Sequence, residues 1–276
     1  MEPWQAEKLI VEQTTEPITH SRLVRDLLGI GLKVGDTVMV HSSMRRLGWV
    51  VGGAPTVIDA LMEVLTPEGT LVMPAHTTDN GEPSGWNFPA VPRDWWQTIR
   101  DEMPPYRPEI SPTRRVGWIP ETFRKYPGVI RSAHPQVSCS AWGKFSTVVN
   151  ESHTLDQAFG PTSPYGKMYE LNGKILLIGT FHDANTTLHF AESIASIPNF
   201  PLVNKGAAVE ENGERVWKTW RERDFNSDDF RKLGEAYETA KGVVPAKVGQ
   251  AESRLIDVRD LIDFAVEWFS NNRNYD

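Results

Sequence analysis

Apolar residues recur along this chain with two different periods, and the switches between them outline its elements. Between Thr19 and Leu32, Leu27 and Leu28 follow Leu23 by four and five residues, with Thr19 and Ser21 as caps. That spacing predicts a helix, which Gly31 and Gly35 bring to an end. Residues 36–41 (DTVMVH) are short and β-rich, SSMRRLGWVVGG is a loop, and apolar positions 57, 58, 61, 64 and 65 predict a helix over 55–65. GTLVMP at 69–74 is the next strand. Strand, loop, helix, strand is a βαβ unit, whose two strands run parallel because the crossover returns the chain to the same end of the sheet. KILLIGTF at 174–181 is a continuous apolar run suited to a central strand buried on both faces. After HDANTT, the segment LHFAESIASI places Leu188, Ala191, Ile194 and Ala195 at helical spacing. The last third predicts a hairpin, AAVEENGERVW, turning at Asn212 and Gly213, then helices near 228–241 and 258–269. The expected fold class is α/β: a mainly parallel central sheet flanked by helices in α/β/α layers, with a smaller α+β C-terminal part over about 205–276, all in one domain spanning 1–276.

One stretch follows neither period. Residues 81–120 carry eight prolines and the aromatics Trp86, Phe88, Trp95, Trp96, Tyr106 and Trp118. Disordered segments are poor in aromatics, so an ordered excursion over about 81–112 that covers something is expected.

Composition narrows the class. Hydrophobic residues at 39% and charged residues at 24% fall in the globular range. No apolar run approaches the ~18 residues a bilayer span requires. The first residues, MEPWQAEKLIVEQTTEP, are acidic where a signal peptide is basic. A cytoplasmic protein without a membrane partner is expected. A formal charge of -7 argues against a nucleic-acid binder and leans toward a cationic or neutral small partner. The single cysteine, Cys139, makes no internal disulfide, and without CxxC or Cys/His clusters no metal site is expected.

GxxxxGKS/T, GxSxG and HExxH are absent. The loop 41–55, HSSMRRLGWVVGGAP, joins a strand end to a helix start, where ligands bind in open α/β sheets. Its hydroxyls (Ser42, Ser43), cations (Arg45, Arg46) and Gly52-Gly53 pair suit a pyrophosphate, and they suit an ordinary βα loop equally well. Of seven histidines, His189 is best placed for chemistry, because Glu192 lies three residues on along the same helical face. An imidazole held by a carboxylate makes a suitable general base, and a capping or core histidine is the plainer alternative. Asp183 and Asn185 read equally as helix caps or substrate ligands. His134 and Cys139 invite a nucleophile pair, although a lone Cys in a strand-like run more often packs as a small hydrophobe. Asp79, Asn80 and Glu82 past the second strand, and Glu222 and Asp224 after a later one, are further polar candidates whose default is solvated surface.

Taken together, HSSMRRLG with the following GG, SAHPQVSCSAWG, GPTSPYGK, LLIGTFHDANTTLHFAE and KVGQAESRLIDVRDLIDFA resemble the aminoglycoside 3-N-acetyltransferase family, with HDANTTLHFAE closest to apramycin-type members. The blocks follow the family's order over nearly the whole chain. The resemblance implies an α/β/α fold and transfer of acetyl from acetyl-CoA to the 3-amino group of 2-deoxystreptamine, directly in a ternary complex. It implies an acetyl-CoA site at His41, Ser42, Ser43, Arg45, Gly53, Ser163, Tyr165 and Lys167. It implies His189 as base, assisted by Glu222, and a cationic amino-sugar acceptor met by Asp79 after the second strand, with Asp183, Glu192 and Asp224 as further candidate acids for that acceptor. A homodimer is left open. Two other readings are an acyl-CoA-dependent acyltransferase or thiol hydrolase working through Cys139 and His134, and a non-catalytic CoA-binding module. The Trp- and Pro-rich stretch from Trp86 to Pro112 is longer than expected for apramycin-type enzymes and carries no dense acidic cluster.

Overall fold

The βαβ pattern folds as its periods require. In the computed structural model, which describes residues 3–275, the first strand, β1 (Thr37–Ser42), leads through the loop and a helix into β2 (Thr70–Pro74). Then come β3 (Ile130–Arg131), β4 (Cys139–Gly143) and β5 (Lys174–Ile178). β6 (Leu202–Glu211) and β7 (Glu214–Arg223) form a hairpin, and β8 (Ala246–Val248) and β9 (Ala251–Asp257) close the series. β1 pairs in parallel with β2 on one edge and with β5 on the other, His41 standing opposite Leu177. The seven-stranded sheet has the order β3-β4-β2-β1-β5-β9-β8. Only β4 and β9 run against the direction shared by the other five, since each is antiparallel to its neighbours. The C-terminal third thus supplies the separate hairpin and also completes the central sheet.

Eleven helices surround the strands among the described residues: α1 (Pro3–Gln13), α2 (His20–Gly29), α3 (Met44–Leu47), α4 (Ala54–Leu65), α5 (Trp96–Glu102), α6 (Trp118–Phe123), α7 (Ser146–Asn150), α8 (Pro164–Glu170), α9 (Leu188–Ile194), α10 (Phe230–Lys241) and α11 (Val258–Asn272). Alternation along β1 divides the core. Val38 and Val40 face α2, α4 and α6 with Leu23, Leu27, Ile58, Leu61 and Phe123, whereas Met39 faces α8 to α11 with Met168, Leu188, Phe230 and Leu261. Truncating such a side chain, as in Leu61→Ala, removes about 2–5 kcal/mol of stability. His41 lies two residues beyond Met39, so it falls on the α9 side of the sheet.

The α2 cap is the expected one, Thr19 accepting from the Arg22 N–H. The hairpin turns at Asn212 and Gly213 with φ of 53° and 81°, the pair of positive values a two-residue hairpin turn requires. The aromatic insertion is ordered. Arg100 is paired with Glu82, the Tyr106 hydroxyl donates to the Ser132 carbonyl at 2.8 Å, and Asn80 exchanges two hydrogen bonds with the backbone of Ala208 on the hairpin.

Candidate active site

The carboxyl ends of β1, β2 and β5 open on a cavity of about 570 Å³, the position where open α/β sheets bind ligands. His41, Ser42 and Ser43 enter it from β1, Pro74 and His76 from β2, and Thr180 and Asp183 from β5. Asn185 and His189 come from the start of α9, and Phe159, Phe230 and Trp118 complete the wall.

His189 is the one imidazole on this wall with a carboxylate partner among the described residues. Its Nδ1 lies 2.6 Å from Glu192 Oε2. The second Glu192 oxygen accepts from the Asn226 N–H at 3.2 Å and from Arg273, which also pairs with Asp229. Glu192 is 0% exposed, so this charge is retained in the interior only because its oxygens are occupied. The ring of His189 is packed by Phe159 at 4.5 Å and Phe230 at 4.7 Å. With Nδ1 engaged and the faces covered, Nε2 is the atom left for a molecule in the cavity.

The two other imidazoles that line this cavity are of a different kind. His41 and His76 are each pushed down to about 3, first by burial and then by neighbouring imidazoles, and His76 Nε2 meets the Tyr165 hydroxyl at 2.8 Å. Both are neutral walls, not proton acceptors at neutral pH.

Several expected residues stand elsewhere. Glu222, expected to assist His189, lies on β7 and pairs with Trp220 Nε1 at 3.0 Å and with Lys205, while the carboxylate that holds His189 is Glu192. Glu192, expected at the substrate, is sealed beneath His189. Burial raises the Glu222 carboxyl above its ordinary range. It lines a separate cavity of about 290 Å³ with Asp156, Arg221 and Phe225, divided from the main one by Phe159. Asp224 is exposed beyond the hairpin, outside both lining sets. Asp183 does line the main cavity and is bridged by Arg231 at 3.3 Å. Asp79 pairs with Arg114 at 2.8 Å in a neighbouring cavity of about 450 Å³, walled by Trp86, Phe88, Val91 and Met103 and joined to the first through Arg115.

Of the residues expected around acetyl-CoA, His41, Ser42 and Ser43 line the main cavity, and Arg45 and Gly53 do not. Residues 44–47 coil into α3, which turns Arg45 to solvent, and Val50–Val51 then pairs with Ile18, carrying Gly53 away to the start of α4. Gly53 has φ of 70°, a backbone need that explains the glycine without a ligand. In the SPYGK segment, Ser163 caps α8, its hydroxyl accepting from the Gly166 N–H and donating to the Gly160 carbonyl. Tyr165 is buried behind His76, and Lys167 pairs with Glu170 at 2.7 Å on its own helix.

The Cys139–His134 pair is not assembled. Burial pushes the Cys139 thiol up to about 12, and His134 Nδ1 accepts from the Gln136 and Val137 N–H groups. A protonated, enclosed thiol without a base is packing, not a nucleophile. No group of three or more metal-ligating side chains occurs among the described residues. No described helix is long and apolar enough to cross a membrane.

Sequence reasoning passed over His76, Phe159, Arg115 and Arg273. The rule that ligands gather at strand carboxyl ends points to His76, two residues after β2, as directly as to His41. No local signal links Arg273 to Glu192.

An imidazole backed by a buried carboxylate stands at the carboxyl end of a mainly parallel sheet, an arrangement suited to proton transfer, on an α/β/α fold. The chain belongs to the aminoglycoside 3-N-acetyltransferase family, whose sequence model matches residues 39–270. It is 43% identical over 266 residues to the SPbeta prophage-derived aminoglycoside N(3')-acetyltransferase-like protein YokD of Bacillus subtilis, covering 96% of this chain and 97% of that one. The crystal structure of YokD superposes with a TM-score of 0.93 over 96% of this chain and 98% of its own. AAC-VIa bound to sisomicin superposes at 0.85 with 33% identity, covering 94% of this chain and 99% of that one. The AAC-IIIb binary complex with CoASH superposes at 0.82 with 29% identity, covering 95% and 99%.

Proposed function

We propose that this protein transfers the acetyl group of acetyl-CoA to the 3-amino group of the 2-deoxystreptamine ring of an aminoglycoside, directly within a ternary complex in the cytoplasm. The observation that carries the reading is His189, held at Nδ1 by the enclosed Glu192 on the lining of the main cavity, which leaves Nε2 as its free ring nitrogen. An ammonium has no lone pair, so the acceptor must attack as a neutral amine and shed a proton as the amide forms. His189 Nε2 takes that proton, and Glu192 with Arg273 fixes the ring and balances the imidazolium. The acetyl-CoA arm lies along His41, Ser42 and Ser43, where His41 Nε2 and Ser42 Oγ are buried without hydrogen-bond partners. The CoASH complex of AAC-IIIb supports this partner, and the sisomicin complex of AAC-VIa supports an amino-sugar acceptor. The acceptor's outer rings extend into the Trp86–Phe88 cavity, with Asp183 and Asp79 near its ammonium groups.

The test is thiol release from acetyl-CoA with a panel of aminoglycosides that includes apramycin. Acceptor-dependent release with a single acetyl added at N3 is the expected result. Acetyl-enzyme detected by intact mass after incubation with acetyl-CoA alone overturns direct transfer, and binding without turnover on any amine leaves a non-catalytic module.

A further inference from the structure

Asn185 is fully buried at 0% exposure, yet it is one of the residues that line the main cavity. Its Oδ1 accepts from the Thr187 N–H at 3.3 Å, which identifies the other end of the amide as the donor. That Nδ2 has no hydrogen-bond partner. A buried amide donor left unsatisfied costs about 1–3 kcal/mol, so a site that keeps one has a use for it or tolerates the loss. Asn185 sits one helical turn before His189, in the tight approach to α9 where the Leu188 N–H bonds back to its carbonyl at 3.1 Å. The same local structure therefore fixes both groups on one wall.

We propose that the Asn185 side-chain amide is a catalytic hydrogen-bond donor to the carbonyl oxygen of the acetyl thioester, an assignment that rests on the acetyl-transfer reading above. As the neutral amine nitrogen bonds to the carbonyl carbon, the carbonyl π electrons move onto oxygen, and Nδ2 meets that developing negative charge. The amine proton passes to His189 Nε2. The carbonyl then re-forms, the C–S bond breaks, and the sulfur of coenzyme A leaves as the thiolate, which the imidazolium protonates. His41 Nε2 and Ser42 Oγ are also unpartnered on this wall, but an imidazole nitrogen or a rotating hydroxyl can present a lone pair instead. An amide NH2 is a donor only, so it favours the oxyanion regardless of pH.

Two variants separate this role from a structural one. Asn185→Asp keeps an oxygen to cap Thr187 but puts an acceptor where the donor was, and Asn185→Ala removes both. At pH 8 both should turn over about 10²- to 10³-fold more slowly, the loss typical of one oxyanion donor, with KM for acetyl-CoA within threefold of wild type. The second readout is the infrared stretch of the thioester carbonyl in 13C-labelled acetyl-CoA bound without acceptor. The band should lie below its free-solution position in wild type and in His189→Ala, and return to it in Asn185→Ala. Wild-type turnover in Asn185→Asp, a loss confined to KM, or an unshifted band in the wild-type complex overturns the proposal. His189→Ala at full turnover instead overturns the acetyl-transfer reading itself.

Discussion

The α9 wall and the insertion wall of the same active-site region hold their polar groups by opposite means. At α9, His189, Glu192 and Arg273 form a chain in which Glu192 is wholly enclosed and Arg273 nearly so. Across the mouth, the insertion and its flanks offer Phe88 at 76% exposure, Trp118 at 68%, and the surface pair Asp79–Arg114. A reacting proton needs a base in one fixed place, which a dry, fully bonded network supplies. An acceptor with several rings needs contact area and tolerance, which exposed aromatics supply. On the proposed mechanism the chemistry and the choice of acceptor rest on separable parts, and mutations on each wall should change different kinetic constants.

The sharpest break in that comparison is His189→Ala, expected to lower kcat by about 10²- to 10⁴-fold with acetyl-CoA binding by calorimetry unchanged. Wild-type turnover in the folded variant removes the base assignment. Next, Glu192→Gln leaves Arg273 facing a neutral amide and His189 without its anion. It should lose both turnover and about 3–5 kcal/mol of stability in denaturant titration, as breaking a buried pair does. Glu222→Ala should leave kcat within a few-fold, since its partners are Trp220 and Lys205; a loss equal to that of Glu192→Gln would restore Glu222 to the catalytic group. On the other wall, Trp86→Ala should raise the acceptor KM about five- to tenfold and leave that of acetyl-CoA alone. Trp95→Ala, which lines neither cavity, should do neither.

A smaller effect separates the paired histidine from the buried neutral ones. His41, His76 and His134 are each held near 3, and His153 well below its ordinary value, mainly by burial. Between pH ~6.5 and about 3 the unfolded chain binds protons that the folded chain refuses, so stability is full above that window and falls as the pH drops into it. The melting temperature should decline between pH 7.5 and 5, by ~2–4 °C for each kcal/mol lost. A flat profile would mean that these imidazoles are solvated. Smallest of all, Cys139→Ala should keep its turnover, its thiol being closed into the core.

The periodic segments determined most of the architecture by themselves. Alternation and helical spacing are local, so the βαβ unit, the strand at 174–178, the Asn212-Gly213 hairpin and the α9 pairing of His189 with Glu192 were legible three or four residues at a time. The short α3 was not, since a four-residue turn inside a loop leaves no periodic trace, and it is what turns Arg45 away from the cavity. Nor was the choice between Glu192 and Glu222 as the partner of His189, because it depends on where β7 lies relative to α9. Arg273 lies 81 residues after Glu192 and reaches it only because α11 packs beside α9. Likewise the insertion's composition announced an ordered segment but not which of its tryptophans face a cavity. Local spacing records what a residue does to its own helix or strand; which charges share a dry pocket is settled only when distant elements close around it, where the cost of burying a charge demands a partner from anywhere in the chain.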